Sequence, residues 1–385
     1  MSYTETVLQS AVQQDLLEKA EQLAAGFGER AEQLDREGSF PYENFDDLKE
    51  AGFLALTVPT EYGGKGIGLS EFLQIQERLA QGDAPTALSF GWQLGVILEA
   101  GETRHWKESS FARLCDLVVK DKALINVAQT ERATGSASRG TVPTTTATKE
   151  GSQWRIDGGK SFTSMAIALD YSIVTANVNG SGKRGFFLVD HKLPGVSVKE
   201  TWDSMSMRGT KSDDLLLDNV LLDGDALLVE EDVKKPFPKG WYLQVPAVYL
   251  GIAIAARDYA VQFAAEYSPS SLPGPIIEVP EVRRKIGEME LELFNSKEIL
   301  GSVAKRWTDH PELRESMAGD LAATKLIVTN SANRVVDLAM RIVGAQSLSA
   351  KNPLQRHFRD VRAGLHNPPT DDAIVYSLAD LAIRG

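Results

Sequence analysis

The sequence predicts an α+β protein whose three domains follow one another as a helical domain, a β-domain and a helical bundle. Three observations support this prediction. Apolar residues recur at helical spacing up to about residue 121, then in short alternating runs separated by Gly, Asn and Asp, and then again at helical spacing in longer runs. The predicted domains are therefore residues 1–121, 122–232 and 233–385.

Helical patterns fill the N-terminal domain. Apolar residues at positions 12, 16, 17, 20 and 23 share one helical face. The segment 41–52 has a proline near its start and a glycine at its end, which predicts a short helix, and residues 71–80 form another amphipathic stretch. The glycines between residues 63 and 68 predict a turn that separates the two.

Short strands dominate the middle of the chain. They are predicted at residues 141–148, 154–156, 171–178, 185–190, 196–198 and 215–222. The Asp-Gly-Gly sequence at 157–159 predicts a turn. Because no helical pattern intervenes, we expect an antiparallel β-barrel or sandwich.

Longer helices are expected in the C-terminal domain. Pro280 can occupy the first turn of a helix that carries Val282, Ile286 and Met289 on one stripe. Residues 318–343 are rich in alanine and have larger apolar residues seven positions apart, a spacing that favours nearly parallel helix packing. These patterns predict a four-helix bundle.

Composition and charge exclude several classes of protein. The 53 Asp and Glu against 41 Lys and Arg give a net charge of -12, so the overall field repels nucleic acid. A single cysteine, Cys115, excludes a disulfide framework, and the scattered histidines give no reason to expect a metal site. With no long apolar run and no N-terminal signal pattern, we expect a cytoplasmic protein without membrane insertion.

Several common catalytic patterns are missing. The chain has no Gly-x-Gly-x-x-Gly after a strand, no phosphate loop, no His-Glu-x-x-His and no Gly-x-Ser-x-Gly. This absence is evidence against a Rossmann-type nicotinamide dehydrogenase and against a hydrolase with a nucleophile elbow.

Four segments, in order, resemble the acyl-CoA dehydrogenase family. They are residues 51–64 with 77–80, the Thr-Glu-x-x-x-Gly-Ser loop at 130–136 with 159–164, the Met-Arg-Gly-Thr segment at 207–215, and residues 353–362. The resemblance covers nearly the whole chain. It implies a flavoprotein with FAD or FMN, usually a homotetramer, in which the flavin lies between the β-domain and the C-terminal bundle. The expected macromolecular partner is an electron-transfer protein or a flavin reductase.

The resemblance also implies which residues contact the flavin. Thr130 and Gly135 belong to the Thr-Glu loop, and Ser136 can donate to a substrate or flavin oxygen. Phe162 stands where the family commonly has a tryptophan against the flavin, and Ser164 where it has a threonine. The alternatives are an ordinary surface turn at 130–136 and a core position for Phe162.

The Met-Arg-Gly-Thr segment is expected to be structural rather than catalytic. Arg208 can tie the β-domain to a neighbouring segment through carboxylates or carbonyls. Asp213 and Asp214 are expected to form a solvated turn.

The catalytic base of the family is missing at its usual position. Many members carry it in Tyr-Glu-Gly-Thr, and counting along the chain places Pro368 at the glutamate and Thr370 at the threonine. A less common position, early in the helix after the β-domain, falls in residues 240–249, which contain no acid. The nearest candidates are Asp371 and Asp372. Alternatively, both aspartates begin the final helix, where negative charge is favourable.

The fourth segment is also similar to a branch of flavin monooxygenases that receive reduced flavin from a separate reductase. In that branch a histidine follows the Asp by six residues, as His366 does here. Such a histidine can act as a hydrogen-bond or proton donor near the flavin. The alternative for His366 is a helix-end histidine that caps carbonyls.

Three functions are therefore carried forward. The leading hypothesis is an acyl-CoA dehydrogenase-like flavoenzyme that oxidises a CH–CH bond of an acyl-CoA-type substrate, with an unconventional base, for which Asp371 and Asp372 are the candidates, or with no base. The second is a two-component flavin monooxygenase acting on an aromatic or heteroatom substrate. The third is a non-catalytic flavin-binding or acyl-CoA-binding protein.

Overall fold

The computed structural model describes residues 11–135, 141–231 and 238–384. The helices before the β-domain are α1 (Ala11–Glu37), α2 (Tyr42–Glu50), α3 (Leu69–Gly82), α4 (Ala84–Thr103) and α5 (Glu108–Val119). The helices after it are α6 (Gln244–Glu266), α7 (Pro280–Asp309), α8 (Ala318–Val343), α9 (Pro353–Arg362) and α10 (Asp371–Arg384). This order confirms the predicted fold class. None of the helices in these ranges combines the length and the apolar character needed to cross a membrane.

Eight strands lie between the two sets of helices in the described part of the chain. They are β1 (Ile125–Ala128), β2 (Thr146–Glu150), β3 (Gln153–Thr163), β4 (Tyr171–Val178), β5 (Arg184–Asp190), β6 (Val196–Lys199), β7 (Asp213–Leu222) and β8 (Leu227–Glu231). They form one sheet in the order β6-β7-β3-β2-β4-β5-β8, with β1 also paired to β4. Most pairs are antiparallel, as expected. However, β1 and β2 both pair with β4 in parallel, at opposite ends of that strand.

The predicted turn at 157–159 is wrong, because β3 runs straight through it. The register against β7 shifts between Ile156 and Gly158, which marks a β-bulge. Gly158 has a φ of +144°, and a Cβ on it would lie 2.7 Å from the Thr145 backbone. Gly158 therefore allows a close approach within the sheet, and the strand continues through Gly159.

The predicted solvated turn at Asp213 and Asp214 is also wrong. Both side chains are buried at the start of β7. Asp213 Oδ1 accepts hydrogen bonds of 2.7 Å from the backbone N–H groups of Thr201 and Trp202. Asp214 pairs with Arg132 at 2.9 Å. The backbone amides compensate one oxygen of Asp213, while its buried Oδ2 accepts no hydrogen bond from the described part of the chain, and the arginine compensates Asp214.

The N-terminal and C-terminal helices share one continuous hydrophobic core. It contains Phe72 of α3, Phe90 of α4, Leu250 of α6 and Val336 of α8. A second, smaller core around Trp154 lies within the β-domain. The helical parts at the two ends of the sequence are therefore packed against each other, and the β-domain is attached beside them.

The segment just before β7 connects all three parts of the chain. Arg208 Nε donates to the Asp35 carbonyl of α1 at 2.7 Å, which confirms the expected structural role of this arginine. Asp360 of α9 accepts from the Met207 N–H at 2.6 Å. Arg359 donates to the Met205 carbonyl at 2.8 Å and to Asp35 Oδ1 at 3.1 Å. Burial raises the pKa of Asp360 to about 7.

The contact between α1 and α3 provides a test of this packing. A Cβ on Gly82 would lie 2.0 Å from the Ala24 carbonyl oxygen, an atom of the α1 backbone that cannot move aside alone. We expect Gly82→Ala to lower the free energy of unfolding by about 1–3 kcal/mol, measured by thermal or urea unfolding. Gly287→Ala, an exposed helical position with no atom within 4 Å of the added Cβ, is the control and should be neutral or stabilising. Equal effects of the two substitutions would contradict the close α1–α3 contact.

Candidate functional site

A buried carboxylate anchors the loop that follows β1, here called the β1 loop (residues 129–135). Glu131 is only 3% exposed. It accepts hydrogen bonds from Lys160 Nζ at 2.6 Å, from Thr144 N and Oγ1 at 2.7 and 2.5 Å, and from Thr145 N at 3.1 Å. Burial alone would raise the pKa of Glu131, but Lys160 and the Thr144 hydrogen bonds lower it to about 2. The carboxylate is therefore held ionised inside the protein.

Lys160 holds this carboxylate from the side of the sheet. Its side chain is fully buried on β3, and its ammonium also donates to Thr175 Oγ1 of β4 at 3.2 Å. Burial lowers the pKa of Lys160 to about 8, although Glu131 acts in the opposite direction. The pair joins the β1 loop to two strands of the sheet.

The rest of the β1 loop is held by its backbone. The Gly135 N–H donates to the Glu131 carbonyl at 2.8 Å, with Gly135 at a φ of +72° that suits glycine. The Thr130 carbonyl accepts from the Ser161 N–H at 2.8 Å. The loop thus holds the predicted residue Thr130 beside β3, while the predicted residue Gly135 closes the loop back onto Glu131. Ser136, the predicted substrate contact, lies outside the described residues.

Phe162 projects from a second irregularity of β3. The register against β7 shifts between Lys160 and Thr163, and Phe162 has a φ of +56°. Its side chain is 66% exposed and makes an edge contact with Trp202 at 6.1 Å between ring centroids. The alternative expectation of a core position for Phe162 is therefore wrong. An exposed aromatic ring on strained backbone fits a surface that a planar ligand covers.

Several hydroxyl groups lie beside this irregularity. Ser164 is buried, and its Oγ lies 2.9 Å from Ser212 Oγ, which in turn lies 2.8 Å from Thr210 Oγ1. The buried hydroxyls of Ser161 and Thr163 have no hydrogen-bond partner. Because unpaired buried hydroxyls are costly, a ligand with polar edge atoms suits this place. The exposed Phe162 ring, the β1 loop and these hydroxyls together fit the flavin implied by the resemblance.

A second cluster joins the two regions in which the resemblance to the family places the base. The Tyr249 hydroxyl of α6 donates to Asn367 Oδ1 at 2.5 Å. A Cβ on Gly364 would lie 2.9 Å from the Tyr249 ring, so this glycine permits the close contact. Burial raises the pKa of Tyr249 above its usual range. His366 and Pro368 are exposed at the edge of the cluster.

Tyr249 and Asn367 are not among the residues predicted from the sequence, because a base was expected to be an acid. Residues 240–249 and 367–370 contain no acid, and the nearest candidates are Asp371 and Asp372, just beyond their end. The structure brings one residue of each region into direct contact. The missed signal was that the two alternative base positions of the family must lie close together in space.

Asp371 and Asp372 lie in the first turn of α10, which confirms the expectation that they begin the final helix. Asp371 accepts from Lys325 Nζ of α8 at 3.3 Å and from Asn330 Nδ2 at 2.7 Å. Asp372 and the preceding Thr370 are exposed. Within the described residues, no hydrogen bond or ion pair joins these three residues to the β1 loop or to Phe162.

Comparisons with known proteins agree across the chain. Family models for the N-terminal, middle and C-terminal domains of acyl-CoA dehydrogenases match residues 10–112, 126–220 and 243–367. The acyl-CoA dehydrogenase-like protein YdbM of Bacillus subtilis is 50% identical over 97% of both chains. The amino sugar nitrososynthase DnmZ of Streptomyces peucetius is 29% identical over 91% of this chain and 88% of its own. The solved structure of KijD3 with dTDP matches with a TM-score of 0.85, 25% identity and 98% coverage of both chains.

The Glu131 carboxylate predicts a specific acid sensitivity. Its pKa of about 2 lies below the ordinary 4.5, so its stabilising effect is complete above pH 4.5 and is lost as the pH falls towards 2. We expect Glu131→Gln to lower the free energy of unfolding by roughly 3 kcal/mol near pH 7. This difference from the parent should shrink between pH 4.5 and pH 2.

Urea unfolding from pH 3 to pH 7 measures this difference, with the exposed Asp372→Asn as the control. A difference between parent and Glu131→Gln that stays constant over the whole range would show that the ionised Glu131 does not stabilise the fold as described.

Proposed function

Since the chain belongs to the acyl-CoA dehydrogenase family, we propose that it is a flavin-dependent oxidoreductase, and specifically a two-component monooxygenase. In this proposal a separate flavin reductase supplies reduced flavin, and the substrate carries an oxidisable heteroatom or aromatic ring. The 29% identity to an amino sugar nitrososynthase supports an amine-bearing substrate.

The observation that carries the proposal is the replacement of the base by a neutral pair. Tyr249 and Asn367 occupy the two regions from which the family supplies its glutamate, and they hydrogen-bond to each other. Two of the carboxylates that flank this cluster in the chain are engaged elsewhere, and the third, Asp372, is exposed in the first turn of α10. Asp360 accepts from Met207 N, and Asp371 pairs with Lys325. Removal of a weakly acidic α-proton needs a free carboxylate, whereas oxygen transfer to a heteroatom does not.

The chain's own residues would hold the cofactor at the β-domain. Phe162 would lie against the ring, and Thr130, Gly135, Ser136 and Ser164 would provide polar contacts. Reduced flavin, when bound, supplies the two electrons with which one atom of O₂ enters the substrate and the other leaves as water.

Residues of the C-terminal part would complete this site. Thr370 would contribute a further cofactor contact, and His366 would donate a proton or hydrogen bond at the rim of the Tyr249–Asn367 cluster. The family commonly has a Glu-Arg-x-x-Phe-Gly stretch that helps to hold the flavin pyrophosphate. This chain has Glu-Tyr-Ser-Pro-Ser-Ser at residues 266–271 instead. FMN therefore suits this chain as well as FAD.

Acyl-CoA dehydrogenation is the second candidate, favoured by the 50% identity to an acyl-CoA dehydrogenase-like protein. Here Asp371 or Asp372 would be the base and an electron-transfer protein the electron acceptor. Asp371 would have to leave Lys325 to reach a substrate. A flavin-binding or acyl-CoA-binding protein without catalysis is the remaining outcome.

One experiment separates these functions. Purified protein is loaded with FMN or FAD and mixed anaerobically with acyl-CoAs, and in parallel with a flavin reductase, NADH, ¹⁸O₂ and primary amines or sulfides. The proposal predicts ¹⁸O-labelled product by mass spectrometry and no bleaching of the flavin by acyl-CoAs. Bleaching without a reductant would establish the dehydrogenase instead. If flavin-loaded protein gives neither signal, the remaining function is that of a flavin-binding or acyl-CoA-binding protein without catalysis.

Variants of the two aspartates test the base directly. As a dehydrogenase, the protein should lose at least about a hundredfold in flavin reduction rate in Asp371→Asn or Asp372→Asn. If the protein is a monooxygenase, both variants should give the same product yield as the parent. Asp371→Asn should still lower the free energy of unfolding by about 1–2 kcal/mol, because Lys325 is left buried without its carboxylate.

We also propose that the chain forms a homotetramer, or at least a homodimer. Large apolar side chains are exposed along α10 and α7, including Tyr376 at 70%, Ile383 at 81% and Leu291 at 61%. A second copy can cover these side chains. We expect sedimentation at micromolar concentration to show a species larger than 42.0 kDa. Tyr376→Lys with Ile383→Lys should shift it towards the monomer, and a monomeric parent would contradict the proposal.

A further inference from the structure

The ion pair between Glu131 and Lys160 lies between the two parts of the β-domain that present the candidate flavin contacts. Glu131 directly follows Thr130 in the β1 loop, and Lys160 lies two residues before Phe162 on β3. A further hydrogen bond, from Ser161 N to the Thr130 carbonyl, joins the same two segments. Any displacement of the pair would move both segments.

We propose that Glu131 and Lys160 are positioning residues that hold the β1 loop and Phe162 in the geometry required for flavin binding. This inference rests on flavin binding, which belongs to the proposed function, and not on which reaction the flavin serves. Neither side chain needs to touch the flavin, since each acts through a neighbouring residue.

The partners of the pair explain why it can act in this way. The Glu131 carboxylate takes hydrogen bonds from Lys160 on β3 and from Thr144 and Thr145, just before β2. The Lys160 ammonium also donates a hydrogen bond to the Thr175 hydroxyl on β4. The position of the β1 loop is thereby fixed relative to three adjacent strands.

The chemical cost of the pair favours positioning over simple stabilisation. Burying two charges requires desolvation that their attraction barely repays, and apolar residues of similar size often stabilise a fold equally well. A buried ion pair with several hydrogen bonds has a defined direction and length, which apolar packing lacks. Phe162 needs such support, because a bulky residue at a φ of +56° is strained unless its surroundings hold it there.

The pair also makes flavin binding sensitive to alkaline pH. Burial lowers the pKa of Lys160 to about 8, with Glu131 opposing this effect and Arg184 of β5 adding to it. As the pH rises through 8, Lys160 loses its proton and the ion pair is lost. Flavin affinity should therefore fall on the alkaline side in the parent, and this dependence should disappear in a variant without Lys160.

The test compares flavin affinity with the stability of the flavin-free protein. The variants are Glu131→Gln, Lys160→Met and the combination of both. Arg155→Gln is the matched control, because it breaks a partly exposed ion pair on the same strand, between Arg155 of β3 and Glu150 of β2 at 2.7 Å. Dissociation constants for FMN and FAD are measured by fluorescence from pH 7 to pH 9.5, together with visible circular dichroism of the bound flavin and thermal unfolding of the apoprotein.

We expect both single variants to bind flavin at least about tenfold more weakly than the parent, with an altered circular dichroism spectrum. The control Arg155→Gln should stay within about twofold of the parent. The double variant should regain thermal stability but not flavin affinity. Thr144→Val, which removes one hydrogen bond to Glu131 and keeps the ion pair, should weaken flavin binding in the same direction if the single variants do not fold.

Three results would contradict the proposal, two of them for the ion pair and one for flavin binding itself. Single variants that bind flavin like the parent but melt earlier would show that the pair only stabilises the fold, and so would a double variant that regains both properties. A parent protein that binds neither FMN nor FAD would refute the proposed flavin function itself.

Discussion

Two neighbouring residues of α9, Arg359 and Asp360, hold the three parts of the chain in one arrangement. Arg359 reaches Asp35 of α1 and the carbonyl of Met205, and Asp360 accepts from the N–H of Met207. Burying this cluster costs free energy, as the raised pKa of Asp360 shows. The arrangement is therefore stable only when the hydrogen bonds of the cluster are all formed together. That requirement fixes the β-domain against the helices, and the candidate site depends on this docking because its two clusters come from different parts of the chain.

The irregular geometry of β3 decides what the β-domain presents. A regular strand would place Lys160 and Phe162 on the same face, because side chains two residues apart point the same way. The register shift after Lys160 breaks this rule, so that Lys160 is buried against Glu131 while Phe162 is exposed. One local distortion therefore creates both the internal anchor and the external aromatic surface.

The fold is shared by relatives with different chemistry, and here the difference lies in a few side chains. The cluster of Tyr249, Gly364 and Asn367 is well packed and internally hydrogen-bonded without any acid. The two regions in which the resemblance places the base therefore present neutral groups to each other. A chemistry that needs no carboxylate at this position is consistent with such a replacement.

The sequence by itself determined the order of helices and strands, because periodicity and composition are local properties. It predicted the first turn of α7 at Pro280 and the whole of α8. The resemblance to the family adds the expectation that Thr130, Gly135 and Phe162 contact one flavin, which stays a prediction. Only the tertiary structure showed that Asp213 and Asp214 are buried, that β3 continues through Gly158 and Gly159, and that Tyr249 meets Asn367 across more than a hundred residues. The physical reason is that burial, strand pairing and side-chain contacts depend on partners far along the chain, which local patterns do not specify.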